Sequence, residues 1–128
     1  MHPTVPHNSI VVSLKTQANL KAGDIIVFKA MEENKGFYFK RIIGVPGDNL
    51  NVGVTGVFVN GVKLEEPYAQ GRTVGQAAKY AINCRIEKDE FYVLGDNRED
   101  SMDSRHFGPI PESNILGKVI LIIPTPFK

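Results

Sequence analysis

Short runs of apolar residues that alternate with polar ones predict β-strands along most of this chain. The runs are rich in β-branched and aromatic residues and are separated by turn-forming residues, which is typical of β proteins. They are residues 9–14, 24–30, 36–44, 56–64, 90–94 and 117–123. We therefore predict a mainly β protein with little helix.

Turn signals connect several of these runs. Asn60-Gly61, between the alternating apolar residues of 57–64, predicts a hairpin with a type I′ turn. Pro46-Gly47 suits the centre of a type II turn, because proline presets a negative φ and glycine accepts a positive one. Residues 66–87, which include the short run 76–79, show no firm periodicity, and we expect an irregular connection there. Residues 109–117 predict a turn-rich link, with one helical turn, into the last strand.

Lys40 lies within one of the predicted strands. Because alternate side chains of a strand share a face, Lys40 is expected to lie beside the apolar groups of Tyr38 and Ile42. A lysine held among apolar groups loses its charge more easily and can then act as a general base. The alternative is a surface lysine whose stem covers apolar groups while its ammonium group stays hydrated.

A second polar motif follows the apolar run 91–94. Residues 95–98 read Gly-Asp-Asn-Arg, as expected where a strand ends in a loop. Beyond them, Ser101 can exchange a hydrogen bond with a lysine amine, and Asp103 can form an ion pair with Arg105 that fixes the loop. Taken singly, these features also fit a capping serine and a solvated ion pair.

Composition and charge limit the classes of function that this chain can have. A chain of 128 residues with 42% hydrophobic and 23% charged residues predicts one globular domain, 1–128. The net charge of +1 and the scattered basic residues argue against nucleic acid as a partner. No apolar run approaches the roughly 20 residues that span a bilayer, and no signal sequence is visible.

Metal and thiol chemistry have no sequence signal either. The single cysteine, Cys84, excludes an internal disulfide and a Cys-x-x-Cys zinc site. The three histidines show no metal-ligand spacing, so we predict no metal and no cofactor. A Ser/His/Asp site is not excluded by sequence alone, since such sites are recognised by their geometry.

Taken together, the motifs resemble those of the type I signal peptidases, the serine/lysine endopeptidases that remove leader peptides from exported proteins. Four segments match the family's boxes in the right order, namely residues 1–4, 23–28, 40–48 and 95–105. The resemblance implies antiparallel sheets of the signal-peptidase type. It also implies a core of about 1–48 and 88–128, and a small inserted β lobe of about 49–87.

The resemblance also implies roles for individual residues. Lys40 corresponds to the general base, and Ser101 to the hydroxyl that orients its amine. Asp103 and Arg105 correspond to the structural pair beneath the site. Asp96 and Arg98 of the same loop are expected to support it.

Substrate binding is expected beside these residues. Signal peptides end in small residues in an Ala-x-Ala-like pattern, and an extended peptide is expected to add to a strand edge beside Lys40. The candidate substrate-binding residues are Met1, Pro3, Val5, Ile25 and Tyr38.

The nucleophile of the family is a serine that immediately precedes the methionine corresponding to Met1. Thr4 is the box's own threonine, and Ser9 and Ser13 lie outside the box. We therefore expect the 128 residues alone to be inactive, with an incomplete oxyanion hole. Either a serine and a membrane anchor precede Met1 in a longer protein, or the natural protein lacks the serine. We favour the first, because perturbed groups usually mark working sites.

Three function classes follow from the resemblance. The first is a membrane-bound leader peptidase acting at the outer face of the cytoplasmic membrane, with signal peptides of secreted preproteins as partners and an N-terminal anchor in the membrane. The second is a non-catalytic, peptide-binding relative that aids surface-protein or pilus assembly. The third is a self-cleaving repressor of the related serine/lysine type, against which the absence of a helix-turn-helix segment argues.

Overall fold

The computed structural model describes residues 1, 4–6, 9–15, 19–30, 36–73 and 82–125. Its strands are β1 (Ile10–Leu14), β2 (Ile25–Lys29), β3 (Phe37–Gly44), β4 (Asn49–Gly53), β5 (Gly56–Val59), β6 (Val62–Lys63), β7 (Ile82–Arg85), β8 (Glu90–Leu94), β9 (Ile110–Pro111) and β10 (Ile115–Ile123). One helical turn, α1 (Ser104–Phe107), and a 3-10 turn (Glu112–Asn114) complete the described elements. The predicted mainly β class is confirmed.

The strands form two antiparallel sheets. The larger sheet has the order β1-β10-β2-β3-β8-β9, and the smaller has the order β6-β5-β4-β7. The chain leaves the larger sheet after β3, builds the smaller sheet, and returns as β8, which pairs with β3. We propose that this excursion is the inserted lobe of about 49–87, with the rest of the chain as the core of a single domain.

Strands β3 and β8 contribute to two hydrophobic cores. Ile42 of β3 and Val93 of β8 belong to the first core, whereas Ile43 and Leu94 belong to the second. Neighbouring residues separate in this way because alternate side chains of a strand point to opposite faces. The small sheet therefore packs on one face of the β3–β8 pair, and Lys40 shares the parity of Ile42 on the other.

Both predicted turns are confirmed. Asn60 and Gly61 have φ values of 51° and 84°, and two positive φ angles define the type I′ turn. Gly47 has a φ of 93°, and the Asp48 N–H donates to Val45 O at 3.0 Å, as a type II turn requires. The second turn ends β3 four residues after Lys40 and starts the excursion into the small sheet.

The expectation of an irregular connection over residues 66–87 is wrong for Ile82–Arg85, which form β7. Strand β4 was also not predicted. Asparagine, a poor strand former, occupies outward positions in both strands. The Asn51 Nδ2 donates to Asn83 Oδ1 at 2.7 Å across the ladder, so the side chains pair with each other instead of competing with the backbone. The run 76–79 lies outside the described residues.

The link at 109–117 is more ordered than predicted. It contains the short strand β9 and the 3-10 turn Glu112–Asn114, and β10 starts at Ile115, two residues before the predicted 117. The predicted helical turn is thus confirmed as a 3-10 turn. In the described ranges, nothing helical reaches the length and hydrophobicity that a bilayer crossing needs.

The buried hydroxyl of Tyr92 gives a test of the second core. Tyr92 is 1% exposed, and its hydroxyl has no hydrogen-bond partner among the described residues. An unpaired buried polar group costs free energy, so Tyr92→Phe should raise the free energy of unfolding by about 1 kcal/mol. Urea unfolding measures the change. Tyr68→Phe is the matched control, because the Tyr68 hydroxyl donates to Glu66 Oε2 and its loss should not stabilise. A less stable Tyr92→Phe protein would contradict this account.

Candidate active site

Lys40 is a buried lysine, 8% exposed, in the middle of β3. Its Nζ lies 5.6 Å from the centroid of the Tyr38 ring, and Tyr38 packs against the first core. The same Nζ donates a hydrogen bond to Ser101 Oγ at 3.0 Å. The structure therefore brings together Lys40 and Ser101, which are 61 residues apart in the sequence.

The surroundings of Lys40 favour its neutral form. Burial is the largest influence and lowers the pKa of the Lys40 ammonium group below its usual value. The Asp103 carboxylate acts in the opposite direction, the Arg105 guanidinium lowers the pKa further, and Asp100 and Asp96 raise it. Because burial outweighs the carboxylates, the amine gives up its proton at a lower pH than an exposed lysine does.

Ser101 lies between the amine and a carboxylate. Its hydroxyl hydrogen-bonds to Asp103, and its oxygen accepts from Lys40 Nζ. A serine has one hydroxyl hydrogen, so a hydroxyl that donates to Asp103 can only accept from Lys40. In its neutral form the amine then donates one of its own hydrogens to Ser101. Its lone pair points elsewhere and is available to a further proton donor.

Asp103 is the fully buried anchor of this loop. It accepts the Gly95 N–H at 3.0 Å, and it accepts Arg105 Nε and Nη2 at 2.9 and 2.8 Å. Burial raises the pKa of the carboxyl, but the hydrogen bonds from Arg105, Gly95 and Ser101 outweigh it and keep the pKa below its usual value. The Asp103–Arg105 pair is thus a buried ion pair and not a solvated surface contact.

Asp96 anchors the start of the same loop. It is fully buried and accepts Arg41 Nε at 3.0 Å and Arg41 Nη2 at 2.8 Å. Thr4 Oγ1 also donates to its carboxylate. The partner of Asp96 is therefore Arg41, whereas Arg98 pairs with Glu66. Sequence reasoning missed Thr4, Arg41 and Glu66 as supporting residues, and the only signal was the strand alternation that turns Arg41 away from Lys40.

A cleft of about 480 Å³ opens beside the amine. Its lining residues are Met1, Val5, Pro6, Phe39, Lys40, Asn97 and Asp100. Of the candidate substrate-binding residues, Met1 and Val5 line this cleft, while Tyr38 packs under Lys40 and Ile25 pairs with Arg41 in the β2–β3 ladder. Pro3 lies outside the described residues. No local pattern predicted the remaining lining residues, Pro6, Phe39, Asn97 and Asp100.

Part of β3 has an open edge next to this cleft. Strand β8 pairs with β3 only from Arg41 onward. Phe37–Lys40 pair with β2 on one side and, within the described ranges, with no strand on the other. The N–H and C=O of Ile42 bond towards β2, so by alternation the backbone of Phe39 points to the open side. An extended peptide can therefore add as a strand next to Lys40.

Comparison with known proteins identifies the relatives of this chain. A family model described as signal peptidase, peptidase S26, matches residues 1–124. The chain belongs to this signal peptidase family.

Three curated members of the family give the range of similarity. The chain is 38% identical over 101 residues to signal peptidase I P of Bacillus subtilis subsp. natto, which covers 73% of the chain and 53% of that protein. It is 37% identical over 123 residues to signal peptidase IB of Staphylococcus aureus strain COL, with 85% and 63% covered. For signal peptidase I of Bacillus caldolyticus the identity is 36% over 132 residues, with 93% and 71% covered.

A solved structure agrees with these relatives. A crystal structure of a signal peptidase I from Enterococcus faecalis V583 matches with a TM-score of 0.64 and 27% identity, covering 79% of this chain and 97% of that one. The predicted antiparallel sheets of the signal-peptidase type are confirmed. The chain spans between about half and two thirds of the length of the first two curated relatives.

Gly95 tests the packing of the site. A Cβ at this position would lie 2.0 Å from Ser101 Oγ, 2.7 Å from Ser101 Cβ and 3.4 Å from Lys40 Nζ. Gly95→Ala should therefore displace Ser101 and lower the free energy of unfolding by about 1–3 kcal/mol, measured by urea unfolding. The double variant Gly95→Ala/Ser101→Gly removes the blocking atoms and should recover most of the loss. A fully stable single variant would show that the loop does not constrain Ser101.

The buried amine also predicts how stability depends on pH. Because folding lowers the pKa of Lys40, the unfolded chain binds the proton more tightly, and the resulting penalty is complete below the folded pKa. The penalty disappears as the pH rises towards the ordinary value of 10.5. Lys40→Met should therefore be more stable than the wild type near neutral pH, and the difference should narrow as the pH rises. Urea unfolding over this pH range measures it, and a constant difference would refute the buried-amine account.

Proposed function

We propose that this chain is the catalytic part of a membrane-associated serine endopeptidase that removes signal peptides from exported preproteins by a Ser/Lys dyad. The observation that carries the proposal is the amine of Lys40, which is buried, bonded to Ser101 and beside an open strand edge. Membership of the signal peptidase family supports the same activity.

In the proposed mechanism Lys40 is the general base. Its neutral amine takes the proton of a serine hydroxyl, whose oxygen attacks the carbonyl carbon of the scissile peptide bond. The resulting ammonium group then gives its proton to the leaving amine as the C–N bond breaks. The amine is neutral again, and it takes a proton from the water whose oxygen attacks the acyl-enzyme. It then returns this proton to the serine oxygen as the ester C–O bond breaks, which restores both residues.

Ser101 and its partners orient the base. The hydrogen bond that the amine donates to Ser101 Oγ fixes the direction of the lone pair on Lys40 Nζ. Asp103 accepts the Ser101 hydroxyl, and Arg105 keeps that carboxylate ionised, so it continues to accept. Asp96 and Arg98 secure the beginning of the loop. Ser101 is thus proposed as a site residue that acts on the base, and not as the nucleophile.

The nucleophile is proposed to be a serine immediately before Met1. Two features support this position. Met1 lines the same cleft as Lys40. Thr4 is tied to Asp96, which fixes this segment next to the site. We propose that the 128 residues alone do not cleave.

The proposed substrate is an extended peptide that ends in small residues. Its backbone would pair with Phe39 on the open edge of β3, and its side chains would enter the cleft that Val5 and Pro6 line. This geometry delivers a peptide carbonyl beside the amine of Lys40. In the proposed setting the site lies on the extracytoplasmic face of the cell membrane, and an N-terminal anchor brings it to the preprotein.

Activity of an extended protein tests this proposal. The protein is produced with the native residues upstream of Met1, and a leader-peptide substrate with an Ala-x-Ala end is assayed by mass spectrometry. We expect cleavage after the small residue, and Lys40→Ala should lower the rate by about a hundredfold or more. Lys15→Ala, which removes an exposed lysine, is the matched control and should retain activity.

A non-catalytic, peptide-binding relative is the other outcome of this experiment. It requires that a residue other than serine precedes Met1 in the natural gene and that the leader peptide binds without being cut. Cleavage that persists in the Lys40→Ala protein would reject the proposed dyad.

A further inference from the structure

The segment from Glu66 to Thr73, which follows β6, lies against the loop that carries Ser101. The Gln70 N–H donates to Asp96 O at 2.7 Å, and the Arg98 N–H donates to Gln70 O at 2.7 Å. These bonds form a parallel bridge between Gln70 and Asn97. The backbone of the excursion is therefore joined directly to the loop at residues 96–98.

A buried ion pair strengthens this junction. The Arg98 side chain is fully buried, and Glu66, with a side chain 10% exposed, accepts from both of its terminal nitrogens. The Arg98 Nε donates to Gly95 O at 2.8 Å. The guanidinium group thus connects the Glu66 carboxylate to Gly95, the residue whose missing Cβ makes room for Ser101.

Thr73 connects the same segment to the second arginine of the loop. Its Oγ1 accepts from Arg98 Nη1 at 2.9 Å, and its carbonyl oxygen accepts from Arg105 Nη1 at 2.6 Å. The same Arg105 nitrogen donates to Arg98 O at 2.8 Å, and the rest of its guanidinium group binds Asp103. The segment therefore contacts both ends of the loop.

Tyr68 adds a contact with the anchor of Asp96. The Arg41 guanidinium lies 4.0 Å from the centroid of the Tyr68 ring, an attractive cation–π arrangement. The Tyr68 hydroxyl donates to Glu66 Oε2 at 3.4 Å. Burial, and then the charge of Glu66, raise the pKa of Tyr68 to about 12, so the hydroxyl keeps its hydrogen. Glu66 and Tyr68 together contact the two arginines that support the site.

We propose that Glu66 is a positioning residue for the active site, which acts through Arg98 to hold Gly95 and Ser101 against Lys40. Breaking a buried pair leaves an uncompensated charge, so the loss of the Glu66 carboxylate should force Arg98 out of its place. The main charges that act on the pKa of Lys40 are Asp103, Arg105, Asp100 and Asp96, whereas Glu66 is bonded to Arg98, which holds Gly95. We therefore expect an effect of Glu66 on Lys40 to pass through the loop. The catalytic meaning of this position rests on the proposed function.

The NMR titration of Lys40 tests the proposal without a substrate. The Lys40 Cε signal of the 128-residue chain is assigned by its absence in Lys40→Met and is followed against pH. In Glu66→Gln we expect the titration midpoint to rise towards that of an exposed lysine, because a displaced loop lets water reach the amine. Glu99→Gln is the matched control. It removes an acid of the same loop that pairs with Arg72 at 3.8 Å, with both side chains 59% exposed, and the midpoint should not move.

A double variant covers the case in which Glu66→Gln does not fold. Glu66→Leu/Arg98→Met removes both buried charges, which proteins often tolerate, but it also removes the bond to Gly95 O. It should show the same upward shift. An unchanged midpoint in either folded variant, or an equal shift in Glu99→Gln, would overturn the proposal.

Kinetics of the serine-extended protein separate this proposal from the proposed function. If that protein cleaves, Glu66→Gln should lower kcat by about tenfold to a hundredfold with little change in KM, because the base is misplaced and not the substrate. An increase in KM by a similar factor would contradict a positioning role. An inactive extended protein whose Lys40 midpoint still depends on Glu66 would reject the peptidase function and retain the positioning role.

Discussion

The structure of the site depends on keeping one lysine amine out of water. Burial is the largest influence on Lys40, and three nearby carboxylates act against it. The balance would change if those carboxylates were free to approach the amine. Asp103 and Asp96 are each bonded to an arginine of their own, Arg105 and Arg41, which fixes their distance and shares their charge. These ion pairs offset the effect of the two carboxylates, which by themselves raise the pKa of Lys40.

The loop between β8 and α1 is built around the same requirement. Gly95 lets Ser101 approach to a distance that a Cβ would forbid, and Asp103 binds Gly95, Ser101 and Arg105 while capping α1. Ser104 then returns to the sheet by accepting the Val93 N–H at 2.9 Å. Because Asp103 holds three groups of this stretch at once, the loop has little freedom to present Ser101 in another way.

Local patterns predicted the parts of the site that lie close together in sequence or share one strand. The Asp103–Arg105 pair spans two residues, and the setting of Lys40 follows from strand alternation. The contacts Arg41–Asp96 and Glu66–Arg98 join residues 55 and 32 positions apart, and no local pattern reports such a distance. The sequence shows that Arg98 is charged, but it does not show that Glu66 is its partner. That pairing depends on how the segment 66–73 lies against the loop.

The same difference between local patterns and long-range contacts applies to the fold. Strands rich in β-branched and aromatic residues were predicted within one or two residues of their ends, and both glycine turns were recognised from their dipeptides. Strands β4 and β7 were missed because asparagines occupy their exposed positions and only cross-strand pairing makes those residues suitable. The lining of the cleft was predicted only in part, because Pro6 and Asn97 come from segments that meet only in the folded chain.

Strands β3 and β8 form one layer that both hydrophobic cores share. Ile43 and Leu94 face the small sheet, and each is the chain neighbour of a residue that faces the other core. The two halves of the molecule therefore have a common wall, and neither half can be exchanged without repacking it. A substitution at Ile43, which packs against the small sheet, therefore also disturbs β3, the strand that carries Lys40.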